Sequence, residues 1–93
     1  MASKTVEMAV GTAYSPTMHS TYGNGVFQVV KGNTNVSLFG SLDGTNYVLL
    51  ETFTASTIKE VVKCNYYKIS GATGDQTTSV GTSKFFITTS TGE

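Results

Sequence analysis

The sequence predicts an all-β protein: one small antiparallel β-sandwich or jelly-roll-like barrel of about seven strands. Three observations predict it. Ten glycines punctuate the 93 residues, and β-branched or aromatic residues fill the intervals between them. Apolar residues recur at the two-residue period of strands, while helical spacing is almost absent. Serine and threonine supply 26 of the 93 residues, a composition suited to a pleated, half-buried sheet surface.

The elements follow in chain order. "KTVEMAV" (4–10) alternates, placing Val6, Met8 and Val10 on one face. Residues 11–25, "GTAYSPTMHSTYGNG", mix the only proline with glycines and aromatics and do not read as a strand. Together, residues 1–25 read as an extended N-terminal arm and docking loop of the single domain 1–93. "VFQVVK" (26–31) and "NVSLFGSL" (35–42) are the next strands. In the latter, Val36, Leu38, Gly40 and Leu42 share one face, and Ser37, Phe39 and Ser41 the other.

"YVLLETF" (47–53), "STIKEVVK" (56–63), "NYYKIS" (65–70) and "SKFFITT" (83–89) complete the set. In 56–63, Ile58, Val61 and Val62 also fit a helical spacing with Ser56 as a cap. Two adjacent valines in eight residues favour the strand. Turn signals fall at "KGNTN" (31–35), "DGTN" (43–46), "TAS" (54–56) and "GATGDQ" (71–76). The stretch 71–82 reads as a polar, flexible loop, and structureless loops of that length are uncommon.

Charge narrows the function. Six lysines face two aspartates and four glutamates, with no arginine and no net charge. This argues against nucleic-acid and membrane-surface partners, which require a basic patch, and favours association between copies. No run has the length of a signal peptide's apolar core or of a membrane-spanning helix. The lone Cys64 and lone His19 make neither a disulfide nor a zinc cluster. So small a chain buries a modest share of its surface and gains from self-association or from a larger partner.

Chemistry is sparse. No nucleophile elbow, Walker loop or dinucleotide fingerprint is present, so no catalytic residues, cofactor or metal are expected. His19 reads as an exposed loop residue, and Cys64 as a small buried hydrophobe. Asp43 and Asn46 offer a cation too few oxygens. Asp43, Gly44, Thr45 and Asn46 instead read as the corner of a hairpin, with Gly44 supplying a positive φ and the Asp43 carboxylate capping the turn. Tyrosines 14, 22, 47, 66 and 67 suit sugar stacking and protein interfaces alike. Tyr14 and Tyr22 read as interface residues, and Tyr47 and Tyr67 as packed strand residues.

The stretch "VSLFGSLDGTNYVLLETFTAS", followed by "CNYYKISGAT", resembles small β-sandwich virion proteins of tailed bacteriophages. These carry a "GSLDGTxW" corner, a "V-x-L" strand and a "Y-Y/V-K/R-I/V" strand. More distantly it is similar to the corner of discoidin-type jelly-roll domains, which bind sugars or lipids. The match covers residues 36–70, with Tyr47 in place of tryptophan and Lys68 in place of arginine. The resemblance implies a capsid decoration or cement protein, made in the host cytoplasm, present in the virion as a homo-oligomer or in many copies on a symmetric lattice, and bound to the major capsid protein or other virion proteins. A glycan-binding surface or a tail or neck accessory module is the alternative. On this reading Val6, Met8, Val10, Tyr14, Met18 and Tyr22 form the interface. Removal of residues 1–22 is then expected to abolish docking while leaving 36–70 folded.

Overall fold

The structure, a computed structural model, describes residues 3–14, 25–61 and 64–90. It is a sandwich of two antiparallel sheets built from seven strands. These are β1 (Ser3–Glu7), β2 (Gly25–Val30), β3 (Val36–Ser41), β4 (Val48–Phe53), β5 (Thr57–Val61), β6 (Tyr66–Ser70) and β7 (Lys84–Ser90). The larger sheet runs β1-β7-β2-β5 and the smaller β4-β3-β6. Among the described residues, β3 and β4 alone are joined as a hairpin within one sheet. Every later connection crosses between sheets, so the two layers are laced together along the chain.

Strand alternation builds the core. Phe27, Val29, Phe85 and Ile87 face inward from the larger sheet, and Val36, Leu38, Phe53, Tyr67 and Ile69 from the smaller. Met8 and Val61 complete this cluster. Its centre is aromatic: the Phe27 ring meets Tyr67 edge-on at 5.1 Å and Phe85 at 5.4 Å, and Phe85 meets Phe53 at 5.7 Å. Rings from both sheets therefore interlock, at separations where such pairs add to simple area burial.

Tyr67 is fully buried, yet its hydroxyl is satisfied, because the Cys64 amide donates to it at 2.7 Å. Its backbone also exchanges two hydrogen bonds with Tyr14, both 2.8 Å. That bridge draws the chain after β1 against the free edge of β6.

Of the extended arm and docking loop expected over 1–25, the structure describes residues 3–14. Residues 3–7 pair with β7 as an edge strand of the larger sheet. Met8 lies in the core, and Val6, Val10 and Tyr14 pack against it. The alternation of Val6, Met8 and Val10 is thus the signature of a sandwich strand and its continuation. Removing 1–22 would take a ladder from β7 and a side chain from the core, so it damages the fold as well as any docking. Met18 and Tyr22 lie outside the described residues.

The segment 71–82 is tethered, where a flexible loop was expected. Buried Ser70 accepts from the amides of Ala72 and Thr78, both at 3.2 Å, and its hydroxyl donates to the Asp75 carbonyl. Buried Ser83 accepts from the Gly32 amide at 2.8 Å and donates to the Thr34 carbonyl at 2.6 Å. Asn33 Oδ1 accepts from the Thr82 amide at 3.0 Å. The loops 31–35 and 71–83 are thereby fastened to each other, and Val80 packs onto the core.

β3 departs from a simple in–out pattern, since all six of its residues are buried. Phe39, on the outer face, stands in register with Leu49 and Lys68, which flank it. Leu42 lies beyond the strand and is 70% exposed.

Two outcomes follow from this core. Phe85→Ala should cost about 3–5 kcal/mol, a large part of the ~5–15 kcal/mol that holds a small domain; loss of a cooperative thermal transition would check it. Burial pushes the Tyr67 phenol from 10.0 up to about 12, against the opposing effect of the Cys64 amide. Above pH 10 the unfolded chain releases a proton that the folded chain retains, so stability falls as pH rises from 10 to 12. The loss should approach roughly 3 kcal/mol and be clearly reduced in Tyr67→Phe, where only the raised Tyr47 and Cys64 groups remain, as read by urea unfolding across that range.

Candidate functional site

A dense polar constellation forms at the hairpin corner between β3 and β4. Ser41 ends β3 with its side chain buried. Its hydroxyl donates to Asp43 Oδ1 at 2.8 Å and accepts from the amides of Asp43 and Gly44 at 3.2 and 3.0 Å. Asp43 Oδ1 also accepts from the Thr45 and Asn46 amides at 2.9 and 2.8 Å, and Oδ2 from the Asn46 side-chain amide at 2.7 Å. Gly44 adopts φ 78°. A β-carbon there would sit 3.1 Å from the Tyr66 ring, so conformation and space both require glycine.

These donors settle what Asp43 does chemically. The Asn46 amide above all, then the Thr45 amide, the Ser41 hydroxyl and the Asn46 side chain, hold its carboxyl well below the usual carboxylate range. Both oxygens are spent on donors from their own loop. Such a carboxylate is a structural cap, and its donors leave it poorly placed to bind a cation or act as a base. Asp75 is a second example, lowered by the Thr77 hydroxyl and then by the Thr77 amide. Among the described residues, no three His, Cys, Asp or Glu side chains come together as metal ligands. His19 lies outside the described residues.

Register carries the corner into the sheet. Between Leu38 and Phe39 the β4 partner jumps from Glu51 to Leu49, so Leu50 is the extra residue of a bulge. Leu50 packs on the core. A β-carbon on Gly40 would meet Leu50 Cδ1 and Cys64 Sγ at 2.7 Å each, so bare backbone at position 40 makes room for the bulge. Cys64 is half-buried there, and burial pushes its thiol up, which disfavours the reactive thiolate.

The tyrosines divide by environment. Tyr47 is half-buried, with its ring beneath the Lys68 ammonium at 4.7 Å. Its hydroxyl is enclosed without a hydrogen-bond partner. Burial first, then Tyr66 and Asp43, raise this phenol. A sugar stacking on Tyr47 would have to displace the lysine from the ring face. Tyr14 is half-buried and packed against the core, so neither tyrosine offers a bare platform.

Two apolar surfaces were not read from the sequence. Beside the corner, Leu42 and Val48, 70% and 62% exposed, line an open depression of about 330 Å³ with Cys64, and Asp43 and Asn46 at its rim. On the outer face of the larger sheet, Val26, Val30 and Ile58 are also exposed. Such surfaces mark contact sites more often than isolated apolar residues do. For Leu42, the signal was the end of β3: the Ser41 turn breaks the alternation and swings the next residue outward.

Compared with known protein families, characterised proteins and solved structures, the chain matches none.

Gly44→Ala should lower stability by about 1–2 kcal/mol, the cost of a β-carbon in the left-handed region, measured as a shift in the urea midpoint. For Asp43 the sign runs toward acid. Its cap contributes above the ordinary carboxylate pKa and is lost as pH falls through the lowered folded value. Asp43→Asn, which keeps an acceptor without the charge, should fold and show a smaller loss of stability below pH 4 in thermal melts.

Proposed function

We propose that this chain is a structural, non-enzymatic protein of a tailed-bacteriophage particle: a capsid decoration or cement protein that binds the head shell and stabilises it. The observation that carries the reading is the pair of separate exposed apolar surfaces on so small a sandwich, one beside the corner and one on the larger sheet. A protein with six cations, six anions and no net charge has little electrostatic protection for such surfaces. A repeated lattice of neighbours would cover them.

Three further points support it. The corner and the strand after it resemble those of small virion sandwiches. The carboxylates at the two loops are capped by their own amides, which suits rigidity rather than turnover. The cross-fastened loops give a body that keeps its shape under load.

Because Val6, Met8, Val10 and Tyr14 are engaged by the sandwich, we place the shell contact at Leu42 and Val48. Burying a side chain of this kind contributes about 1.5–3 kcal/mol, and many identical contacts on a symmetric shell add avidity. The major capsid protein is the partner, and the virion is the working location. The experiment is quantitative mass spectrometry of purified particles, with Leu42→Asp/Val48→Asp as the variant. The chain should be present at a fixed ratio to the major capsid protein, with incorporation of the folded variant reduced at least tenfold. Absence of the chain from particles would overturn the reading.

A further inference from the structure

The outer face of the larger sheet is laid out by the pairing register. Phe27 and Val29 point into the core, so Val26, Gln28 and Val30 point outward. Gln28 stands beside Ile58 on β5 and Phe86 on β7, and Phe86 beside Glu7 on β1. At one end of β2, Val26 is flanked by Glu60 on β5; at the other, Val30 is flanked by Lys84 on β7. The result is an apolar cross of Val26, Val30, Ile58 and Phe86 around Gln28, with an acid and a base at opposite corners.

Glu60 and Lys84 are two strands and four residues apart, about 16 Å at ordinary sheet spacings. That is too far for them to meet within one chain, and neither forms an ion pair with a described residue; the pair present is Lys59 with Glu51. We infer that this face is the interface of a two-fold symmetric dimer of the chain. A two-fold axis lying in the interface, perpendicular to the Glu60–Lys84 diagonal, places each Glu60 against the second copy's Lys84. The same operation sets Val26 near the second copy's Phe86 and Val30 near its Ile58. It also puts the two Gln28 amides on the axis, where each can donate to the other. Strands of the two copies then cross close to a right angle, one of the two ways sheets pack face to face.

The pattern is self-complementary, as a two-fold interface must be. Four strands at ~4.8 Å and five residues at ~3.3 Å make a face of about 19 by 17 Å, roughly 650 Å² over the two copies and below the ~1,200 Å² of a standard specific interface. The dimer is therefore concentration-dependent in solution and reinforced where copies are held close together. It rests on the sheet register alone and stands or falls independently of the virion reading.

Sedimentation equilibrium of the full chain tests it, with circular dichroism to confirm that each variant folds. The mass should rise from 9.8 kDa towards twice that value with concentration. Glu60→Lys and Lys84→Glu each set like charges opposite one another and should weaken the dimer at least tenfold. The double exchange should restore it to within about threefold of the parent, because both pairs re-form with reversed sign. Ile58→Asp should abolish it. A chain that stays monomeric up to about 1 mM overturns the inference and leaves the face to a different protein. So does a dimer indifferent to the single exchanges, which would be built on another surface.

Discussion

Everything in this sandwich depends on how Tyr67 is held. Its ring is the edge-on partner of Phe27 and lies at the point where the two sheets interlock. Its hydroxyl is capped by the amide of Cys64, and its backbone fixes Tyr14 at the edge of β6. One residue therefore joins the aromatic core, the entry into β6 and the segment after β1. A phenylalanine would fill the volume but leave the Cys64 amide without its acceptor, which is a penalty rather than a neutral loss. The alkaline sensitivity expected of the fold has the same origin: a phenol cannot ionise while sealed among Phe27 and its neighbours.

A second constraint supports the first. A chain with few charges and one proline must fix its loops by other means, and buried serines at strand ends serve. Ser41 organises the β3–β4 corner, Ser70 the start of 71–78, and Ser83 the junction with 32–34. Each hydroxyl accepts and donates at once, so loop amides that would otherwise face a dry interior are satisfied. The abundance of serine and threonine thus has a specific part beyond sheet propensity.

These findings mark where the sequence is readable. All seven strands were legible because alternation and turn glycines are local: "LDGTN" places Gly44 at its positive φ within a five-residue window. The corner was legible for the same reason, down to the Asp43 cap. Contacts distant in sequence were not. Met8 reads as one of three alternating apolar residues whether its strand is free or docked, and only the pairing with β7 decides. The loop 71–82 looks mobile until Ser83 and Asn33, 49 residues from its Thr82 contact, are brought beside it. The face formed by Val26, Ile58 and Phe86 comes from three strands and exists only in one register. Exposed and buried valines look alike in a one-dimensional pattern.

The proposed function draws on the rigid body so defined: polar groups of the loops are spent internally, and apolar groups at two places outside are exposed. It requires the interlocking of the two sheets to be an energetic fact. A double-mutant cycle between Phe27→Leu and Tyr67→Leu, read by urea unfolding, tests this most directly. The account expects a favourable coupling of about 0.5–1.5 kcal/mol between the two rings. Additive losses, with no coupling beyond error, would contradict the central role given to Tyr67.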